Sequence, residues 1–274
     1  MFSTTLAASE IKTLTENGYA QLMRTILQGV KSKSVRHPYR SRDFNSYTAG
    51  NPYYVEGHMT TKGDIWKEWT GRYIDTENPT PLFETDDSLT VEYKQYGKNN
   101  RRILKRSGEM DSLIRAEGRK VINDWSTSDD TYDGLIYVMY WLEDGVVVPL
   151  YVGKAGKYGR DGEGLSANLR GLRGSSTGKF ARWGDSHYYH IGNLSAIIFD
   201  HDKNQKQKYQ KWVDQLFEDG KRLHQPTYFW TKAWQEKDVG LYHDFEVPLE
   251  QLEYQIIGLV SDLYPETLLN EEGV

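Results

Sequence analysis

The sequence contains no cysteine. Disulfides, thiol nucleophiles and thiolate zinc sites are therefore excluded, and a reducing compartment suits the chain. No apolar run approaches the roughly 20 residues of a membrane-spanning helix. The opening residues, MFSTTLAASEIK, have neither the basic start nor the apolar stretch of a secretory leader, so no signal peptide and a cytoplasmic setting are expected. Positive charge is also short. There are 34 Lys and Arg against 39 Asp and Glu, a formal net charge of −5, so binding to nucleic acid must rest on local basic patches. The run GKAGKYGRDGEG lacks the Gly-Lys-Ser/Thr ending of a phosphate-cradling loop and the spacing of a dinucleotide fingerprint. A Gly-x-Ser-x-Gly elbow and a His-Glu-x-x-His zinc motif are likewise missing.

What is present is aromatic and polar. The chain has 20 Tyr and 8 Trp, rings that fill cores and can also stack on bases. Its 38% hydrophobic and 27% charged residues place it among folded globular chains, not disordered ones.

The periodicity of residues 8–30 predicts a helix, with Tyr19, Leu22, Ile26 and Val30 on one side. Residues 31–42 then carry Lys31, Lys33, Arg36, Arg40 and Arg42 with no acid among them. They read either as a phosphate-contacting loop or as a solvated basic linker. Residues 96–108 predict two short strands around a Lys98-Asn99-Asn100 turn, again basic through Arg101, Arg102, Lys105 and Arg106. A helix over 109–125 follows, with Ile114, Val121 and Ile122 inward. The Ser/Asp/Gly-rich stretch 126–134 then marks a boundary. It divides a region of mixed helix and strand, 1–130, with a DNA-contacting or accessory role, from a domain over 131–274.

In the second part, strands are expected over 135–142 and 146–152 around Glu143-Asp144-Gly145. Their weak alternation predicts burial on both faces. A short helix over 165–173, a strand within 187–200, and helices over 203–223 and 247–264 follow. On that strand His187 and His190 would point to opposite faces, which excludes a shared metal. Trp212, Trp230 and Trp234 read as core. The fold class is α+β, a hairpin and a third strand with helices packed on them.

Tyr, Lys and Arg beside glycines, with acids downstream, suit an anionic substrate. Glycine lets backbone approach closely, cations neutralise phosphate charge, and a carboxylate can hold a hard divalent ion. Leu135-Ile136-Tyr137, followed about a dozen residues later by Tyr151-Val152-Gly153, resembles the paired signature of the GIY-YIG nucleases. An Arg in NLRGLR, a Glu in LEYQII and an Asn in PETLLN follow in the family's order. The resemblance covers about residues 135–270. The first triplet departs from the pattern, since Leu135 stands where the family has its Gly, and residues 1–130 carry none of its motifs.

The resemblance implies a small antiparallel three-stranded sheet flanked by helices and metal-dependent hydrolysis of DNA phosphodiesters. It assigns Tyr137, Tyr151, Arg170, Glu253 and Asn270 as the catalytic set. Gly153 marks close approach, and Glu253 is the ligand of one Mg²⁺ or Mn²⁺ per site. Arg160 competes with Arg170 for the arginine, and Glu250 with Glu253 for the carboxylate. Tyr137 is preferred over Tyr151 as the residue that orients or deprotonates water. Phosphate contacts are expected from Lys154, Arg160, Arg173, Lys179, Arg36, Arg40 and Arg42, with Lys157 and Arg182 adding to the groove. The implied enzyme is a restriction or phage-defence endonuclease of duplex DNA that needs no membrane and dimerises if it makes double-strand breaks. An RNA-cleaving effector and a non-catalytic nucleic-acid-binding protein are the other readings.

Overall fold

The segment 134–156 builds the centre of the molecule. Its Asp144-Gly145 pair takes φ values of 50° and 75° and links Glu143 directly to Val146. That is the two-residue hairpin turn whose left-handed backbone matches the twist of the flanking strands. The computed structural model describes residues 60–159, 162, 164–174, 178–201, 207–242 and 246–271. The chain divides into two units, Met1–Gly57 and His58–Val274. The helix expected over 8–30 and the basic stretch with Arg36, Arg40 and Arg42 lie outside the described residues, as does Arg160.

Among the described residues the elements run α1 (Lys62–Tyr73), β1 (Tyr93–Tyr96), β2 (Arg101–Leu104), α2 (Gly108–Thr127), β3 (Gly134–Glu143) and β4 (Val146–Gly156). They continue with α3 (Ala167–Arg170), a 3₁₀ turn (Gly171–Arg173), α4 (His190–Ile198), α5 (Gln207–Leu216), β5 (Phe217–Asp219), β6 (Arg222–Leu223), β7 (Tyr228–Trp234) and α6 (Leu249–Leu263). The expected α+β class, with a three-stranded antiparallel sheet flanked by helices, is present. The strand order is β4-β3-β7.

Central β3 is buried from Gly134 to Trp141, and its side chains alternate between two cores. Leu135, Tyr137, Met139 and Trp141 face a layer made by α2, the 167–173 segment, α4 and α5. Ile136, Val138 and Tyr140 face α1 and α6. A capping box between Thr61 and Asp64 starts α1, and Trp66 Nε1 donates to the Val147 carbonyl, fastening that helix to β4.

Three expectations change. The strand sought within 187–200 is helix α4. Its residues His190–Ala196 are all buried, so its apolar run has no exposed face to reveal a helical period. The third strand is instead β7, whose Trp230 and Trp234, expected in the core, are buried. The helix expected to reach residue 223 ends at Leu216, because Phe217 opens the small β5–β6 hairpin. In addition, α1 and α2 pack on the sheet within the unit His58–Val274. Residues 126–134 are therefore a tight connection inside one unit: the Asp124 carboxylate accepts from the Thr131 and Tyr132 amides.

Candidate active site

The antiparallel register sets Tyr137 opposite Gly153 and Met139 opposite Tyr151. Tyr137 and Tyr151 therefore share a sheet face, with ring centroids 6.4 Å apart. Gly153 is required by this arrangement, since a Cβ there would stand 2.6 Å from the Tyr137 ring. Tyr137 is fully buried and its phenol donates to the Lys154 carbonyl at 3.2 Å. Burial pushes this phenol well above its ordinary pKa; Tyr151 and Glu253 push the same way, and the Arg182 guanidinium opposes them. Loss of the proton is thus disfavoured at Tyr137, and its hydroxyl is engaged by the Lys154 carbonyl.

Tyr151, half-buried on the edge strand, is surrounded by Trp212, His190 and Trp183, with ring centroids at 4.7, 5.0 and 6.4 Å. His190 Nδ1 lies 2.7 Å from the Tyr209 hydroxyl. Above this ring cluster the chain reverses through Ala181 and Arg182, at φ 43° and 75°. Left-handed backbone costs roughly 1–2 kcal/mol per non-glycine residue. The turn is held by Trp183 N donating to Phe180 O and His190 N donating to Arg182 O. The exposed Arg182 guanidinium lies close enough to lower the Tyr137, Tyr189 and Tyr209 phenols against the opposing effect of burial.

Glu253 comes from α6 on the other side of β4. Its carboxylate, with a side chain 17% exposed, receives Lys154 Nζ at 2.6 Å. Glu250 lies 3.4 Å from the same ammonium but is 69% exposed. Burial lowers the Lys154 pKa, yet the two carboxylates outweigh it and hold the ammonium above its ordinary value. Among the described residues no group of three or more His, Cys, Asp or Glu could hold a metal. Mg²⁺ takes one or two carboxylates and completes its shell with water and substrate phosphate, so Glu253 with Glu250 fits that donor number. Asn270 serves a different part of the site. Its Oδ1 accepts from Val152 N at 2.9 Å and its Nδ2 donates to Val152 O at 2.8 Å, so it clamps the edge of β4 between Tyr151 and Gly153.

Arg170, Arg173 and Arg182 line a cleft of about 750 Å³ beside the end of β4. Arg170 and Arg182 are exposed and form no ion pair among the described residues. Lys179 is exposed alongside, its Cβ packed close to Gly171. Lys157 is not a groove cation. Its side chain is 1% exposed and binds Asp124 at 2.8 Å and Asp130 at 2.7 Å. The basic run 101–106 is also used internally. Arg106 is buried against Asp111, the Trp183 carbonyl and Asp185, Lys105 pairs with Glu92, and Arg102 covers Phe199.

The structure therefore pairs Tyr137 with Tyr151 on one face of the sheet, with Arg182 near Tyr137, and pairs Lys154 with Glu253 on the α6 side of β4, while Arg170, Arg173 and Arg182 line the cleft beside the end of β4. The sequence places Arg182 only in the phosphate groove, and His190 is carried to Tyr151 by a helix where a strand is expected. Gly153→Ala should destabilise the fold by about 1–3 kcal/mol through overpacking against Tyr137. Thermal unfolding checks this: the penalty should largely vanish in a Tyr137→Leu background, which lacks the clashing ring atoms. Compared with protein-family models, curated proteins and solved structures, the chain matches none.

Proposed function

We propose that the chain hydrolyses nucleic-acid phosphodiesters, with duplex DNA as substrate and one Mg²⁺ or Mn²⁺ per site, as a restriction or phage-defence endonuclease. One observation carries the reading. Two tyrosines on adjacent strands of the hairpin, and a Lys154-paired carboxylate on the α6 side of its edge strand, stand near a cleft at the end of β4 with three arginines. The hairpin order, with the first tyrosine on the central strand and the second on the edge strand, supports the resemblance to the GIY-YIG nucleases.

Each side chain has a task that follows from its surroundings. Tyr137, buried and bonded to the Lys154 carbonyl, positions the strand edge. Tyr151, partly exposed, orients the attacking water. Water adds to phosphorus as the bond to the leaving oxygen breaks; the attacking water gives a proton to solvent and the leaving oxygen takes one from solvent. Arg182 and Arg170 stabilise negative charge building on the phosphoryl oxygens. Glu253 would hold the cation, which would supply Lewis-acid polarisation of the phosphate and charge stabilisation at the leaving oxygen. Lys154 then exchanges the carboxylate for a phosphate oxygen, and Asn270 keeps β4 fixed while this happens.

The Lys154–Glu253 contact also favours a second reading, binding without hydrolysis, since an ammonium occupies the carboxylate that a metal would need. Incubating the full chain with duplex DNA, single-stranded DNA and RNA, each with Mg²⁺, Mn²⁺ or EDTA, separates the readings. Duplex cleavage that EDTA abolishes is expected. Binding with no cleavage under any metal supports the second reading, and cleavage of RNA alone supports an RNA-cleaving effector.

A further inference from the structure

A second cleft, of about 520 Å³, opens on the far side of Arg173 and is lined by Arg115 and Arg119 of α2. Arg173 lines both clefts, so the two are contiguous. Together they present Arg182, Arg170, Arg173, Arg119 and Arg115, and no described Asp or Glu lines either one. In a chain of net charge −5 this is a local inversion of sign.

The inversion is built into the packing. Gly118 lets the 3₁₀ turn approach α2, since a Cβ there would stand 2.5 Å from Leu172 Cδ1; this sets Arg173 beside Arg119. Arg115 and Arg119 stand one helical turn apart, a like-charge spacing that costs a helix a few tenths of a kcal/mol. Arg119 is exposed and forms no ion pair among the described residues. Lys120 beside it is paired with Glu117 at 2.6 Å and lies outside both clefts. Two further features suit a ligand in the first cleft. Ser166 lines it with a buried hydroxyl that has no hydrogen-bond partner among the described residues. The Arg173 guanidinium lies 4.5 Å over the Trp125 ring, at a distance suited to stacking. Arg115 donates to the Gly174 carbonyl at 3.4 Å and lies over the Phe180 ring, which fixes its position, and spaced guanidinium forks match the oxygens of a phosphate backbone.

We infer that these five arginines form one continuous track for the phosphate backbone of a nucleic-acid strand leading away from the strand-edge site. The inference rests on the proposed function for its ligand class, but binding tests it without cleavage. The full chain is titrated against a fluorescein-labelled 20-base-pair duplex in EDTA across a series of salt concentrations, with anisotropy as the readout. Arg115→Gln/Arg119→Gln should weaken binding roughly tenfold or more and reduce the salt slope by about 1.8, near 0.9 per lost phosphate contact. Arg119→Gln alone, which removes no packing, should reduce it by about 0.9. Lys120→Gln removes the same charge outside the clefts and should leave both values unchanged. An unchanged affinity and slope in the folded arginine variants overturns the inference, as does an equal loss in Lys120→Gln. If the parent binds in this way yet never cleaves, the track stands and the hydrolase reading falls. If the parent cleaves and the arginine variants bind as it does, the track falls alone.

Discussion

Replacing Glu253 by alanine is expected to lower duplex cleavage at least 100-fold while leaving the fold intact. Glu253 is the carboxylate that the strand edge holds half-buried against Lys154, and Glu250, its neighbour on α6, is mostly solvated. Removing one preorganised charge from a phosphoryl-transfer site costs about 2.7–4 kcal/mol of transition-state stabilisation, or about 10²–10³ in rate. The cost to folding is much smaller. The Lys154–Glu253 pair is 25% and 17% exposed, and partly solvated pairs contribute on the order of 0–1 kcal/mol. Initial rates on a labelled duplex at saturating Mg²⁺, read beside a thermal melt, separate the two effects. Glu250→Ala in the same assay should retain most of the activity. A Glu253→Ala protein that cuts as fast as the parent removes the carboxylate from the mechanism. One that fails to cut but melts far below the parent assigns Glu253 to the fold instead.

The parts legible in the sequence are those where local chemistry determines local structure. The Asp144-Gly145 turn and the continuous apolar run of β3 lie within one hairpin, and turn chemistry and composition are enough to specify them; the Tyr137–Gly153 pairing is not, because the register shifts between Met139 and Tyr140, where a regular hairpin would set Tyr137 opposite Val152. Helix α2 was legible because Met110, Ile114 and Val121 recur on a buried side while Arg119 and Lys120 face out. Helix α4 and strand β7 were not. Both are nearly all buried, and without a polar face a short run shows neither a period of 2 nor one of 3.6. Within the site, Glu253 and Tyr151 could be found from motif order, whereas Arg182 is placed by two left-handed residues that no composition signals. The cations of the glycine-rich run were the hardest to separate. Lys154 and Lys157 are three residues apart, and one faces Glu253 at the strand edge while the other is sunk against α2.

That second lysine carries the other large effect. Asp124→Ala should destabilise the protein by about 3–5 kcal/mol, the cost of leaving one member of a buried ion pair uncompensated. Asp124 and Lys157 side chains are 4% and 1% exposed and bond at 2.8 Å. The lower end of the range is expected, because Asp130 still reaches Lys157 from a 78% exposed position. At about 2–4 °C per kcal/mol for a unit of this size, the melting temperature should fall by roughly 6–12 °C. Adding Lys157→Met removes the stranded ammonium and should recover part of the loss. The Thr131 and Tyr132 amides that Asp124 also binds stay unsatisfied, so recovery is incomplete. A double variant no more stable than Asp124→Ala would show that the aspartate acts through those amides alone. The pH dependence follows from the same geometry. Burial raises the Asp124 pKa, but the Lys157 ammonium and the two amides outweigh it and hold the carboxyl below its ordinary range. Its folded value lies beneath its unfolded one, so its contribution is complete above the unfolded value, about 3.9, and is lost as pH falls through the folded one. Below about pH 4 the parent should therefore lose stability more steeply than Asp124→Ala/Lys157→Met, which lacks the buried carboxylate and leaves Asp130 without its ammonium partner. Lys157 N donates to the Asp133 carbonyl and Lys157 O accepts from Ser166 N, so the pair anchors the wall of the arginine cleft to α2. Acid that breaks the pair should release that wall, and binding of a labelled duplex should weaken over the same pH interval in the parent and not in the double variant.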